Sequence, residues 1–464
     1  VATQAQETRD LIRILADLFK RHNDRPVLTA ADFRLEDERS GIAALLDSVS
    51  NQHHASLRDK AQRNLSAVLD AVANPADVPH LAEIVGALWL RSLAVGNMAG
   101  AEPAMLQIDI TRGAPIDDNA FQVEMATIVE NSFNIHQTGA RLIFREEENP
   151  QAKLIASARN DKLFEDRADI AQLASEVRYV IGGQEAVSQA YRVVVLPEQW
   201  SIAPWEAVAD DDQPSNWDER LPLLVLPASP DEPGPTLGPW LRDHLQARRN
   251  VVRFLLPRAG STDLFRDRDV LILARAVVLA GRWRTQAPEY RRLQVKYERE
   301  LRDILSKRFA RFAILDTWDY RQPFRCTFHV ESHKAEGANI PAAVDEHIGA
   351  NLFIPEEFEA LVHAAAANSE SVGKLLRELQ EPRPAGETCI PWLGETPMKE
   401  RIIRLCARGE IAINVRDMEH LQAGAGETEE AAWVRMRGRL GTGKHLDETY
   451  VLRPQAAPQP TGVP

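Results

Sequence analysis

The fold turns on Leu221–Phe312, which opens with LPLLVLP (Leu221–Pro227) and continues through LGPWLRDHLQARR (Leu237–Arg249) to NVVRFLLP (Asn250–Pro257). The first and last segments are short apolar runs bounded by Pro, Asn and Gly, the signature of buried strands. Between them Leu237, Trp240, Leu241, His244 and Leu245 recur at helical spacing. Strand, helix, strand is one βαβ unit, the smallest piece that makes two parallel strands. DVLILARAVVLAG (Asp269–Gly281) follows, apolar all round except Arg275, so it predicts a buried helix with Leu273 and Val277 in the core. Its apolar run of roughly 11 residues is far short of the ~20 that cross a bilayer.

Outward from this unit, Arg282–Phe312 reads as one long helix with ten Lys or Arg against four Asp or Glu. Leu293, Val295, Tyr297, Leu301, Ile304, Leu305 and Phe309 give it a packing stripe. Two readings of its charge stay open: a solvated face with partners such as Glu298 for Arg302, or a surface for phosphates or an acidic partner. On the second, Arg284, Arg291, Arg292, Arg299 and Arg302 are the candidate contacts. RFAILDTWDY (Arg311–Tyr320) and FRCTFHVESH (Phe324–His333) predict strands, and AYRVVVLPEQW (Ala190–Trp200) predicts another. IPEEFEALVHAAAA (Ile354–Ala367) and ESVGKLLRELQE (Glu370–Glu381) predict helices, and Asn160–Ile181 a further one. ADDDQPSNWDER (Ala209–Arg220) is a polar loop that marks a candidate boundary.

Towards the amino end, TRDLIRILADLFKRH (Thr8–His22) predicts an amphipathic helix with Leu11, Ile14, Leu15, Leu18 and Phe19 on one face. The segment to Leu69 continues helical, with RPVLTAADFRLED (Arg25–Asp37) as a connector. HLAEIVGALWLRSL (His80–Leu93), AEPAMLQIDI (Ala101–Ile110) and NAFQVEMATIVENS (Asn119–Ser132) predict three helices, and FNIHQTGARLIFRE (Phe133–Glu146) a hairpin about Thr138-Gly139-Ala140. Three helices and a hairpin is the order of a winged helix, which binds DNA or other proteins. The third helix carries Glu124 and Glu130 with no Lys or Arg, which favours a protein-facing or structural role. Towards the carboxyl end, EPRPAGETCIPW (Glu381–Trp392) reads as a Pro-rich linker. A second winged-helix-like run follows, with Thr396 as cap, Gly409 as stop, the strand EIAINV (Glu410–Val415), the helix TEEAAWVRMRGRL (Thr428–Leu440) and the strand HLDETYVL (His445–Leu452).

The expected fold class is therefore mixed α/β, helix-rich and multi-domain, with winged-helix-like modules flanking a central α/β (βαβ) domain. Boundaries are expected at 1–74 for a helical segment, 75–158 and 381–453 for the two winged-helix-like modules, 159–380 for the central domain and 454–464 for a disordered tail. A chain of 464 residues holds several domains of roughly 100–200 residues. Apolar content of 44% and charged content of 27% are ordinary for a soluble globular protein, and a net charge of −13 excludes a nucleic-acid coat while allowing local basic surfaces. Cys326, Cys389 and Cys406 lack paired spacing, so free thiols in a reducing cytoplasm are expected. Val1 opens the chain without Met, and a longer protein with an upstream part is expected.

The motifs that could carry chemistry are incomplete. GRLGTGKH (Gly438–His445) has the G-x-x-x-x-G-K spacing of a phosphate loop, but it leaves a charged helix and has His445 where Ser or Thr should hold magnesium, so a wing-hairpin turn is the expectation. Cys326, His329 and His333 could be read as metal ligands, yet strand alternation puts Cys326 on the opposite face and no second cysteine is near. SPDEPGPT (Ser229–Thr236) is acidic where a phosphate needs bare backbone N–H groups. No catalytic residue and no metal ligand is assigned.

Asn250–Ala280, followed by YERELRDILSKRFARFAIL (Tyr297–Leu315) and TFHVE (Thr327–Glu331), resembles the carboxy-terminal half of the large AAA+-type ATP-binding proteins of bacterial anti-phage islands. These are encoded beside DNA methyltransferases in BREX and phage-growth-limitation systems (the BrxC/PglY-like group). The resemblance implies that ATP and Mg belong to an amino-terminal module outside this chain, which itself holds no cofactor. It also implies that Thr8–His22 ends the ATPase lid, with Arg9 placed to sense nucleotide phosphate. Expected partners are defence-system proteins such as a DNA methyltransferase, DNA, and further copies of the chain, with no membrane. The implied role is a non-catalytic regulatory and assembly region. A stand-alone winged-helix nucleic-acid-binding regulator is the alternative.

Overall fold

A computed structural model describes residues 8–35, 52–72, 74–94, 98–111, 115–321, 323–415 and 419–454, with backbone alone at 8–11, 13–14, 52–55 and 419. The chain forms two compact units, Val1–Asp169 with Ile272–Arg299, and Ile170–Leu271 with Glu300–Pro464. The fold is helix-rich mixed α/β, as the sequence predicts.

In the first unit, α1 (Thr8–Arg21) and α2 (Gln52–Ala71) precede α3 (Leu81–Ser92), α4 (Pro103–Ile110) and α5 (Asp118–Asn131). The hairpin β1 (Ile135–Thr138) and β2 (Arg141–Phe144) and the helix α6 (Pro150–Ala158) follow. Thr138 pairs with Arg141, so Gly139 and Ala140 make a two-residue turn, and Gly139 takes the left-handed φ of 63° that such a turn requires. Ile84, Leu88, Leu106, Phe121, Ile128 and Ile135 are buried together, so the three expected helices and the hairpin share one core. Of the α1 side chains described, Leu18 is buried, while Leu15 and Phe19 of the same face and Ile12 beside it are exposed. The expected helical continuation between 36 and 51 and the tail beyond 454 fall outside the described residues.

Glu124 corrects one reading. It does not face solvent: it is 3% exposed, accepts the His80 N–H at 2.6 Å and meets His80 Nδ1 at 2.9 Å. His80 is the residue before α3, so the carboxylate serves donors at a helix N-terminus, where negative charge is favourable. Its place in an otherwise uncharged stretch follows from that contact.

In the second unit the sheet order is β3 (Tyr191–Val195), β4 (Leu221–Val225), β5 (Arg253–Pro257), β6 (Phe309–Asp319) and β7 (Arg325–Ser332). β3, β4 and β5 are parallel, with Tyr191 against Leu221 and Leu224 against Phe254; β6 and β7 add antiparallel strands, with Ala313 between Phe254 and Val330. The helix α9 (Pro233–His244) crosses from β4 to β5, which completes the expected βαβ unit, and α7 (Ala168–Gly182) and α8 (Glu185–Ala190) lead into β3. All residues of β3, β4 and β5 are buried, which explains their continuous apolar reading. The two arginines among them have partners: Arg192 binds the Asp218 carboxylate at 2.9 Å and the Asp211 carbonyl, and Arg253 lies 2.7 Å from the Asp345 carboxylate and donates to the Trp392 carbonyl at 3.1 Å. Arg192 thereby anchors the polar loop Ala209–Arg220 to the sheet.

Gly238 on α9 faces Cys326 on β7 so closely that a Cβ would collide with Sγ. Gly238→Ala is therefore expected to cost about 1–3 kcal/mol by overpacking. Adding Cys326→Ala removes the obstructing atom and should recover most of that loss, so urea melts of the single and double variants should be strongly non-additive. Additive losses would place the strain elsewhere.

Beyond β7 run α12 (Ile340–His347), α13 (Pro355–Ala367) and α14 (Val372–Gln380). Glu381–Trp392 does not behave as a linker. Cys389 N–H donates to the Asp316 carbonyl at 2.6 Å, Asn250 Nδ2 donates to the Leu379 and Ile390 carbonyls at 2.8 Å each, and Cys389, Ile390 and Trp392 are buried. The prolines suppress helix while the apolar residues between them bind a strap to the sheet.

The last elements are α15 (Glu395–Ala407), β8 (Ala412–Val415), β9 (Glu419–Leu421), α16 (Glu429–Met436), α17 (Lys444–Asp447) and β10 (Thr449–Leu452), with sheet order β10-β8-β9. α15 starts one residue before Thr396, after Gly394 at φ 101°, and has no side-chain cap. It ends as expected, with Gly409 at φ 76° and the Gly409 and Glu410 N–H groups on the Cys406 and Leu405 carbonyls at 3.0 and 3.1 Å. Gly438–His445 is not a hairpin turn: it joins α16 to the single helical turn α17, because β10 pairs with β8 rather than with a strand ahead of the glycines.

Burial pushes the thiols of Cys326 and Cys389 up to about 11 and that of Cys406 to about 12. At pH 8 about a thousandth or less of each is thiolate, the reactive form. A disulfide-exchange reagent should release almost no colour from the native protein at that pH, and three equivalents in denaturant. Rapid native reaction would show that one of these thiols is accessible.

Candidate functional site

Four of the five candidate arginines, Arg284, Arg291, Arg292 and Arg299, lie in the first unit's second segment, Ile272–Arg299. α10 (Arg268–Trp283) contributes Ala276, Val277, Leu279 and Ala280 to a core with Leu154, Ala158 and Phe164. Leu273 packs against this core half-buried, while Val277 lies inside it. Arg275, the one charge in the apolar run, is held by Asp169 at 2.8 Å and Asp161 at 2.6 Å, with its guanidinium 4.9 Å from the Phe164 ring. Burial pulls its pKa down, and the two carboxylates outweigh burial and raise it.

The basic segment is not one continuous helix. α10 stops at Trp283 and α11 runs Pro288–Arg308, because Pro288 fixes a first helical position and disfavours helix in the residue before it. Trp283 and Tyr290 pack edge to face at 5.3 Å across the bend. At the other end Phe309 begins β6, where Arg311 Nη1 donates to Ser229 Oγ at 3.2 Å. The packing stripe is as expected for Tyr297, Leu301 and Leu305, which are buried, but Val295 is 51% and Ile304 41% exposed.

The five arginines separate into two groups. Arg302 is a structural residue: its Nε donates to Glu176 at 2.6 Å and its guanidinium lies 4.1 Å from the Tyr179 ring. Arg291, Arg292 and Arg299 are exposed on α11, Arg284 is exposed in the bend before it, and none of the four makes an ion pair with any described residue. Arg291, Val295 and Arg299 are successive neighbours at four-residue spacing, so two cations flank an exposed apolar residue. Lys296, one turn from Arg292, extends the same exposed face; its spacing was visible in the sequence and went unnamed. Arg282, by contrast, is tied to Asp166 at 2.7 Å. Four guanidiniums kept in water without carboxylates suit an anionic ligand, since binding would break no internal pair.

Arg9 lies on α1, and its side chain is outside the described residues. Cys326, His329 and His333 form no ligand set: Cys326 Sγ lies 3.7 Å from the Gly234 carbonyl while His329 pairs with Asp316 at 3.3 Å. Among the described residues no three His, Cys, Asp or Glu side chains are placed to hold a metal ion, and no helix is long and apolar enough to cross a membrane. No protein-family model, curated protein or solved structure matches the chain.

Proposed function

We propose that this chain is a non-catalytic docking region that holds the phosphates of nucleic acid on the exposed arginines of α11, within an AAA+-type ATP-binding protein of anti-phage defence. The observation that carries the docking surface is the set Arg284, Arg291, Arg292 and Arg299, exposed and without ion pairs among the described residues. The defence-protein context rests on the sequence resemblance alone, and in that context ATP and Mg belong to the nucleotide-binding module and a DNA methyltransferase is the natural protein partner. The exposed Ile12, Leu15 and Phe19 of α1 suit a helix that packs on a further part of such an assembly. We read α3, α4, α5 and the β1–β2 hairpin as a winged-helix module that faces protein: α5 exposes Gln122, Val123, Ala126 and Glu130 and offers no cation to a phosphate.

Fluorescence anisotropy of a labelled DNA duplex against the chain in 50 mM salt tests the reading, with poly-glutamate as a second titrant. Saturable duplex binding is the expected result. Binding to poly-glutamate alone would reassign the arginines to an acidic protein, and binding to neither would remove the docking surface.

A further inference from the structure

A cleft of about 610 Å³ opens in the second unit between α13, α14 and the strap, a volume in the range of small-molecule sites. Leu361, Leu379, Pro382, Pro384 and Ile390 give it an apolar lining, and Asn250 belongs to the same wall. Each cation of the lining is ion-paired within the fold. Lys374 pairs with Glu370 at 2.9 Å and Glu378 at 3.6 Å, Arg377 with Asp447 at 2.6 Å, and Arg383 with Glu387 at 2.6 Å, while Glu381 accepts the Arg248 N–H at 2.6 Å. The cleft therefore offers no unpaired cation to an anionic ligand.

Asn250 is the exception in polarity. It is 8% exposed, and both its amide hydrogens are committed to the Leu379 and Ile390 carbonyls. Those two acceptors fix the amide orientation and leave Oδ1 as an acceptor with no partner among the described residues. Left-handed backbone occurs at three positions that border the lining without belonging to it. Of the four described non-glycine residues at left-handed φ, Arg248 (59°) is bonded to Glu381, Ser369 (54°) forms the turn between α13 and α14, and Ala385 (60°) follows Pro384. Strain of this kind, on the order of 1–3 kcal/mol per residue, persists where the surrounding structure enforces it and clusters at ligand clamps.

We propose that this cleft binds a small neutral aromatic molecule that donates one hydrogen bond to Oδ1 of Asn250. Indole is the probe, titrated into the full chain and followed by saturation-transfer NMR and calorimetry. Indole should bind at a single site, and 1-methylindole, which lacks the donor, should bind roughly three- to ten-fold more weakly. Indole-3-acetate should bind no tighter than indole, because the rim cations are paired. Leu361→Trp, at a half-buried position, should fill the mouth and abolish binding with the melting temperature retained. Four results overturn the proposal: no indole binding at millimolar concentration, equal binding of 1-methylindole, a tenfold gain for indole-3-acetate, or binding unchanged by Leu361→Trp. The comparison of indole with 1-methylindole uses the unaltered protein, so it decides even where the variant fails to fold.

Discussion

Reversing Arg291, Arg292 and Arg299 to Glu is expected to eliminate salt-sensitive retention of duplex DNA. The four unpaired arginines, Arg284 included, release about one counterion for each phosphate they neutralise, so log affinity should fall with log salt at a slope of about −3.6. Between 50 and 200 mM salt that slope is a loss of about 100-fold. Replacing three of the four with carboxylates leaves a face that repels phosphate, and the triple variant should show neither the affinity nor the slope. These side chains are exposed, so the melting temperature should stay close to that of the parent. Glu130→Gln on α5 is the control and should leave retention unchanged. Retention that survives the triple reversal would take the binding face off α11.

The largest stability effect is expected at Arg253. Its side chain is 2% exposed on β5, with Asp345 and the Trp392 carbonyl as partners, and Asp345 in turn accepts from the Tyr191 hydroxyl. Burial and the neighbouring Asp345 carboxylate both push the Tyr191 phenol above its ordinary pKa, so it stays a donor throughout the neutral range. Arg253→Ala takes its ion-pair partner from the Asp345 carboxylate, which keeps the Tyr191 hydroxyl, and its donor from the strap carbonyl; with Asp345 partly exposed, the expected cost is at the low end for a broken buried pair, about 3 kcal/mol. Arg253→Met, which keeps the length of the side chain, should lose less than the alanine variant. Urea unfolding of both variants measures the difference; a loss below about 1 kcal/mol for Arg253→Ala would show that the pair contributes little.

The sequence was most legible where one periodicity had one physical cause. The apolar runs of β4 and β5 with the helix between them, the three helices α3, α4 and α5, and the Gly139 turn were all readable because burial and turn geometry leave local marks. What failed was set by partners far along the chain. Glu124 is a buried acceptor because of His80, Arg302 is structural because of Glu176, and neither spacing nor composition signals such a contact. Glu381–Trp392 has the composition of a linker, yet carbonyls and apolar side chains within it complete the sheet. The candidate arginines were legible as a charge run, but which four remain free of carboxylates depends on Asp166 and Glu176.

The strap also sets an order of events during synthesis. Arg253 leaves the ribosome 139 residues ahead of Trp392 and 92 ahead of Asp345. At about 5–20 residues per second, β5 spends on the order of ten seconds outside the ribosome before its last acceptor arrives. For that interval the guanidinium keeps its water, and the centre of the sheet stays open until the strap closes over it. Ribosome-bound chains halted before Trp392 should therefore be far more sensitive to protease at β5 than chains halted after it.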